Sequence, residues 1–487
     1  MRRPTRWHRK ILSAYGFAVA VIASSLLLVG FHLVENWRGD RAWAGAQSRL
    51  RTAGEPLTIA EWLTPPPPDG QNFMMNAVFV RRFGIGLPKP FTPEPWEREP
   101  GGRTSVEDLS SSFDYEALGA NDGSARLDLP ALAAGVPPFA PGDSATEVEA
   151  AKAVLRWTDQ WKEDFDALAR ATRERPDHYL PLSADISQWT GRWDGLESWV
   201  DGGKILQLRA LAQIGLGDAT GARDSILISL RMAEAAAAEP TQLIGMVSGT
   251  AITSLALRPL NEGLRRRLWS KGELHELDAA MSRLKTSSAI QRALRSERLF
   301  LTALLEPGTA NRDWTLVLQF PPNSFASIIA RLCPRGWLRQ NQAKLADWQL
   351  RHHDRLDQPV FQRPPAEEPP LFVWHSPYKW MASFASVGTK GLESMADEVD
   401  CHFLLARTVL ALEQHHTTHG RYPESLENPP DNRATILPQD PYSGNPILCR
   451  VVEGRPRLSS VGPNRQDDTH QPDASSFDDI VWVVAGQ

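Results

Sequence analysis

The sequence is poor in cysteine and lacks the short motifs that announce the commoner enzyme classes. Its three cysteines, Cys333, Cys401 and Cys449, stand far apart. Their spacing excludes a C-x-x-C redox pair and a cysteine-built zinc centre. A Cys401–Cys449 disulfide is open to the chain in an oxidising compartment; otherwise the three read as small buried apolar residues. There is no H-E-x-x-H, no G-x-S-x-G and no Walker sequence. Gly84-Ile85-Gly86 has no third glycine and runs into Pro88, so it is not a nucleotide loop. A net charge of −5 gives no electrostatic footprint for nucleic acid, and none is expected as a partner.

Proline is abundant and clustered, and it divides the chain. A length of 487 residues exceeds what one core fills and suggests about three units. Thr64-Pro65-Pro66-Pro67-Pro68 cannot be helical and reads as a stiff polyproline II spacer. Residues 71–145 are rich in Pro, Gly, Ser and Asp, with little periodicity, and read as irregular. A second proline-rich stretch, with PPAEEPP inside it, occupies 358–377. The expected organisation is therefore a cytoplasmic tail and anchor over 1–35, a juxtamembrane and Pro/Gly-rich irregular region over 36–145 that opens with a short helix stopped at Gly54, a helical domain over 146–357, a linker over 358–377 and a small module over 378–487.

The anchor opens at Ile11 and closes at Val34, with no acid, lysine or arginine between. A helix of that length reaches roughly 36 Å, enough for a ~30 Å hydrocarbon core. Arg2, Arg3, Arg6, Arg9 and Lys10 precede it, and mixed charges beginning Glu35, Arg38, Asp40 follow. The positive-inside rule puts the N-terminus in the cytoplasm and the bulk of the chain outside, on a single span of the inner membrane. Trp7 and Trp37 fall just beyond the two ends, where interfacial tryptophans belong. A cleaved signal peptide fits less well: the apolar core is too long and Ala44-Gly45-Ala46 lies too late. A prepilin leader is rejected, because Gly16-Phe17 lies inside the apolar run and Val21 stands where a glutamate is needed.

From Thr146 the text turns helical. GKILQLRALAQIGLGD and ATGARDSILISLRMAEAAAAE are joined at Gly217-Asp218, a helix stop followed by a helix start, which predicts an αα-hairpin. The pattern Gly217, Asp218, Ala222 resembles one tetratricopeptide-type turn, but no second copy follows at a 34-residue period. The uncharged run at 240–257 contains Gly245 and Gly249; its polar residues and the arginine at 258 favour a buried bundle helix over a second span.

After the second proline-rich stretch a helix is expected over roughly 387–418. Leu392, Met395, Val399, Phe403, Ala406 and Leu410 form its apolar stripe, and Gly420 its stop. Strands are expected at 447–452, 457–461 and 480–484. The order helix, Gly420-Arg421-Tyr422-Pro423, Leu437-Pro438-Gln439-Asp440-Pro441-Tyr442-Ser443-Gly444-Asn445-Pro446, strand, Ser460-Val461-Gly462-Pro463-Asn464, acidic loop and Asp478-Asp479-Ile480-Val481-Trp482 resembles the C-terminal domain of the type II secretion major pseudopilin. The resemblance covers roughly the last fifth of the chain. It implies a small α+β head with an antiparallel sheet, and an acidic loop that holds one structural calcium ion. Matched position by position, it implies Asn464, Asp467, Asp468, Asp478 and Asp479 as ligands, with Asp473 beside them. Calcium takes six to eight oxygens at about 2.3–2.6 Å. Two departures stand out: Asn464 replaces a charged ligand and Arg465 a glycine. The anchor also lies far upstream of this module, which makes the tail a detached head and not a fibre subunit.

The fold expected is thus mainly α: one transmembrane helix, a Pro-rich stalk, a helical domain of αα-hairpins and a small C-terminal α+β module. No catalytic or cofactor-binding residue is assigned. His415 and His419 are i, i+4 on a helix, with Glu413 nearby, but at a helix end they read as surface histidines favourable to the dipole. The first functional reading is a non-enzymatic, membrane-anchored extracytoplasmic scaffold with an envelope protein as its partner. The second is an exported enzyme, with hydrolase the class in view. The third is an accessory component of a type II secretion or pilus-like system.

Overall fold

A computed structural model describes residues 6–83, 127–134, 146–179, 196–238, 243–306, 333–365, 376–380, 383, 389–422, 438–452, 455–467 and 480–483. The protein is mostly helical, with one three-stranded antiparallel sheet near the C-terminus. Its helices are α1 (Arg6–Thr52), α2 (Ile59–Trp62), α3 (Ala77–Phe83), α4 (Leu129–Ala134), α5 (Glu147–Thr158), α6 (Lys162–Glu174), α7 (Leu196–Gly215), α8 (Ala219–Ala236), α9 (Leu243–Arg265), α10 (Lys271–Arg283), α11 (Thr286–Leu304), α12 (Arg335–Leu356) and α13 (Thr389–His419). The strands are β1 (Leu448–Val452), β2 (Arg455–Ser460) and β3 (Ile480–Val483). Most of the expected irregular stretch at 71–145 lies outside the described residues.

The chain forms two compact units that interleave along the sequence. One takes residues 1–62, 297–352 and 367–387; the other takes 63–296, 353–366 and 388–487. The segments expected from composition, by contrast, ran consecutively.

The first unit is organised by α1. This helix is long and apolar enough to cross a membrane, and none of its apolar window is buried. Beyond Val34 it becomes polar and packs against α12. Trp43, Ala46 and Leu50 meet Leu57, Ala343 and Ala346 in a small apolar cluster. The crossing needs glycine on both sides. A Cβ on Gly39 would lie 2.2 Å from the Gly336 carbonyl oxygen, and a Cβ on Gly336 still closer to that of Glu35. Glu35 is buried there and accepts from Trp337 Nε1 and Gln340 Nε2, both at 3.1 Å. The side chain of Arg298 is fully buried and donates to the Pro56 carbonyl at 2.6 Å, with Glu55 at 3.6 Å.

In the second unit α7, α8 and α9 pack on one another. The α7–α8 turn uses Gly217 at φ +76°. Asp218 then caps α8, its carboxylate accepting from Gly221 N at 2.9 Å. Capping boxes start α5 (Thr146, Glu149) and α10 (Ser270, Glu273), the pattern in which a hydroxyl and a carboxylate satisfy each other's backbone donors. The uncharged run that passes for a second span is α9, and 72% of its apolar window is buried. One apolar cluster gathers Phe73, Phe79, Trp157, Trp199 and Leu211. A second runs from Ile226, Leu257 and Leu277 to Phe403 and Leu410 of α13 and on to Leu458 and Trp482 of the sheet.

The sheet runs in the order β1-β2-β3, with Cys449 opposite Leu458 and Leu458 opposite Trp482. Period-two alternation puts Leu458, Ser460, Ile480 and Trp482 on the buried face. Along α13 the apolar stripe holds from Val399 onward. In its first turns the buried positions are instead Glu393, Ala396 and Asp397, while Leu392 and Met395 are only half-buried. The reason is charge: Arg355 pairs with Glu393, and Arg363 grips both oxygens of Asp397 at 2.8 and 2.7 Å.

The glycine crossing makes a graded prediction. Gly336→Ala forces two backbones apart, an overpacking cost of about 1–3 kcal/mol. Gly45→Ala, whose Cβ meets only Arg49 Nη1 at 3.5 Å, removes a helix-interior glycine and gains about 1 kcal/mol. Native-state hydrogen exchange over residues 36–50 should show faster opening in the first variant and slower in the second. Equal effects would remove the close crossing from the account.

Candidate functional site

The acidic loop is described only in part. Asn464 sits in the turn after β2, and its Oδ1 accepts from Gln466 N at 2.8 Å. Arg465 adopts φ 61° and donates to the Val360 carbonyl at 3.1 Å. Asp467 is described; Asp468, Asp473, Asp478 and Asp479 lie outside the described residues. Among the described residues no group of three His, Cys, Asp or Glu side chains is placed to hold a metal ion. Asn464 and Asp467 alone are too few oxygens for a calcium cage. The histidines at the end of α13 are also accounted for locally. His415 and His419 stack at 4.1 Å, with Nδ1 of each against a backbone carbonyl, Arg421 and His415 respectively. Glu413 is buried and accepts from the Tyr422 hydroxyl at 2.5 Å, so it does not join them.

The acid that organises the tail is Asp440, to which sequence reasoning gave no role beyond its place in a motif. It is 1% exposed. One carboxylate oxygen accepts from Tyr442 N at 2.9 Å and Ser460 Oγ at 2.7 Å, and the other from Val461 N at 2.9 Å. Its own backbone closes the turn: Asp440 N donates to Asn445 O, and Gly444 N donates to Asp440 O. The carboxylate thereby ties the 440–445 turn to the end of β2. The signal was present in the sequence as an aspartate followed by Pro441 and Gly444, a turn signature.

Cys401 lies beside this staple, buried, and neither it nor Cys449 forms a disulfide. Burial pushes the Cys401 thiol up to about 12, against a hydrogen bond to Ser460 that lowers it, and burial pushes Cys449 up to about 11. These are inert structural cysteines.

A cleft in the second unit has a volume of about 420 Å³. The run of alanines closing α8 builds it. Ala233, Ala237 and Ala238 line it with Gly249 of α9 and Ala289 of α11, and the helices touch at Gly249, where a Cβ would lie 2.8 Å from the Ala233 carbonyl oxygen. Polar groups rim it: His178, Glu234, Thr250, Thr253, Arg283, Lys285, Thr286 and Arg292. Behind them Arg231, 4% exposed, acts as a clamp. Its Nη2 donates to the carbonyls of Arg175, Pro176 and Asp177, and its Nη1 to Glu234 at 2.6 Å. Nη1 also lies 3.0 Å from His178 Nδ1. A guanidinium only donates, so Nδ1 must accept and the ring proton of His178 sits on Nε2. Burial holds the His178 pKa below the usual histidine range; the Glu234 charge opposes this, and Arg231 and Arg292 add to it. His178 is thus a neutral donor and Glu234 a carboxylate already engaged. Neither is placed as a free general base, and no nucleophile–base pair is formed among the described lining residues.

A second cleft, of about 360 Å³, lies along the start of α13. It is bounded by Arg363, Asp397, Tyr442 and Arg465. Burial pushes Asp397 up there, outweighing the Arg363 guanidinium.

No family model, curated protein or solved structure matches the chain.

Two outcomes follow for the staple. Asp440→Ala leaves buried donors from Tyr442, Ser460 and Val461 unmatched and should cost on the order of 3 kcal/mol or more, read as a lower urea midpoint. Asp440→Asn keeps acceptor oxygen and should lose less. With a pKa of about 12, the Cys401 thiol is about one part in ten thousand thiolate at pH 8. A thiol assay of the folded chain should therefore miss it and recover it in denaturant; prompt reaction in the native state would contradict its burial in the sheet core.

Proposed function

We propose that this chain is a membrane-anchored scaffold or interaction protein whose folded mass lies outside the cytoplasm. The observation that carries the reading is the contrast along α1. None of its apolar window is buried, while its continuation from Glu35 is packed and hydrogen-bonded to α12. An exposed apolar helix of that length is costly in water and favourable in lipid. The arginines and lysine before it support a cytoplasmic N-terminus. The chemistry of the large cleft supports a binding role over a hydrolytic one, since its histidine and its carboxylate are both engaged by Arg231.

Membrane fractionation and a reporter fusion test this reading. The protein should stay with the membrane pellet through alkaline carbonate. A phosphatase fused after Gln487 should be active, because that enzyme folds only outside the cytoplasm. Release by carbonate, or an inactive fusion, would refute the anchor or its orientation.

The tail supports a narrower reading, a pseudopilin-like head. A long helix packed on a three-stranded antiparallel sheet, with a D-P-x-x-G turn tied to the second strand, is consistent with it. On this reading the acidic loop, with Asn464, Asp467, Asp468, Asp478 and Asp479, takes up a structural calcium ion, and the head docks on pilin-like subunits of a type II secretion or pilus-like system. A thermal melt of the full chain with millimolar calcium against chelator tests the ion. At a hundred times its Kd, calcium adds about 2.7 kcal/mol to folding. Asp479→Ala should abolish that gain, while Asp440→Ala should lower the midpoint equally with and without calcium. An identical midpoint in calcium and in chelator would remove the ion.

A further inference from the structure

We propose that the part of α12 around Trp337 is seated in the headgroup layer of the membrane, where Trp337 and Trp37 of α1 form a collar that takes a phospholipid surface as its partner. The proposal rests on the membrane-anchored reading and names the surface that the first unit meets.

The first argument is length. The apolar run from Ile11 to Val34 reaches roughly 36 Å, about four residues more than a ~30 Å hydrocarbon core needs. The surplus lies at one end of the run, and the packing of α12 shows which. Residues 15–29 are exposed, and cover begins at Gly30, which is half-buried. Phe31 meets the ring of Trp337 edge-on, with centroids 5.9 Å apart. Phe31 stands about 4.5 Å before Val34 along the helix axis. The contact with α12 therefore starts inside the apolar run and not after it. Protein replaces lipid on that face of the last turn, so the last turn is the part of the run that lies at the membrane boundary.

The second argument is the kind of residue found there. Trp337 is half-buried, with its ring against Phe31 and its Nε1 given to Glu35 at 3.1 Å. Gly336 N donates to Asn36 Oδ1 at 2.9 Å, which fixes this part of α12 at the level of Glu35 and Asn36. Trp37, 62% exposed, is in the same turn of α1. Two tryptophans far apart in sequence thus reach one level. Tryptophan has a broad apolar ring and a single polar N–H, and it is enriched where hydrocarbon meets headgroups.

The third argument is charge. The ions at this level are paired with one another. Arg38 Nη1 lies 2.7 Å from Glu35 Oε1, and Arg335 Nη2 lies 2.8 Å from Asp40 Oδ2. Paired ions lose less on partial dehydration than single ones do. A balanced set of guanidiniums and carboxylates suits a zwitterionic headgroup layer and does not call for anionic lipid.

The experiment measures depth by spin labelling of the full chain in phosphatidylcholine nanodiscs, in a Cys333→Ala background. Burial raises the Cys401 and Cys449 thiols, so one label per chain is expected. Labels go on Leu27→Cys, Trp37→Cys, Arg335→Cys and Arg51→Cys, one at a time. Arg51 lies roughly 25 Å beyond Val34 along α1 and reports water. The ratio of oxygen to nickel-chelate collisions should be highest at Leu27. At Arg335 it should match Trp37 and exceed Arg51 several-fold. Tryptophan fluorescence gives a second readout. Lipid brominated near the carbonyl end of its chains should quench the parent, and Trp337→Phe should lower the quenched fraction. A label at Arg335 as aqueous as that at Arg51, or an unchanged quenched fraction in Trp337→Phe, would overturn the proposal. If Leu27 still reports hydrocarbon in that case, the anchor stands and only the collar fails. If Leu27 too reports water, both readings fall.

Discussion

A sheet of three strands, none longer than six residues, cannot enclose a core of its own. That constraint governs the second unit. The buried face of the sheet, Leu458, Ile480 and Trp482, must be covered from outside, and α13 covers it with Phe403, Ala406 and Leu410. Yet α13 is itself buried on more than one side, so α9 and α10 close over it with Leu257 and Leu277. Helical body and sheet are thereby joined by one continuous apolar cluster. Burial at roughly 25 cal/mol per Å² favours this arrangement far more than any single polar contact could. The turn of Asp440 then holds the end of β2 where the cluster needs it.

Buried arginines perform the complementary work on irregular backbone. Arg231 gathers three successive carbonyls, Arg298 takes the carbonyl of Pro56, and Arg363 chelates Asp397. Loops cannot satisfy their own carbonyls as helices do, and a five-donor planar group can satisfy several at once. Replacing any of these by lysine would keep the charge and lose the fork. Arg82 and Asp164, both 4% exposed at the side chain and 2.7 Å apart, show the same habit inside the helical core. Such buried pairs cost desolvation energy in both partners, and they fix geometry more than they add stability.

Much of the architecture was legible. The apolar run of α1, the stop and start at Gly217-Asp218, the long C-terminal helix and its three strands all follow from local periodicity and from Gly, Pro and Asp placement. The polar face at the start of α13 was not, because its partners, Arg355 and Arg363, stand more than thirty residues away, just before and within the second proline-rich stretch. Asp440 was read within a motif, and its three acceptor contacts depend on where β2 ends, which one sequence does not state. The cleft was the least legible feature. Its floor is an alanine run that looks like ordinary helix text, and its cations come from the α10–α11 junction and from one turn within α11.

The arginines around the cleft share one habit. An arginine that fixes backbone ends on carbonyls or on a single carboxylate, buried and compensated where it stands. Arg231 is of that kind: it donates to three carbonyls and to Glu234, and Arg283 approaches the same carboxylate at 3.5 Å. Arg283 and Lys285 are exposed at the rim, and Arg292 donates to the Ala237 carbonyl. Gly249 lets the two helices close beside them: a Cβ there would lie 2.8 Å from the Ala233 carbonyl oxygen, so the approach of α8 to α9 depends on glycine as the crossing of α1 and α12 does.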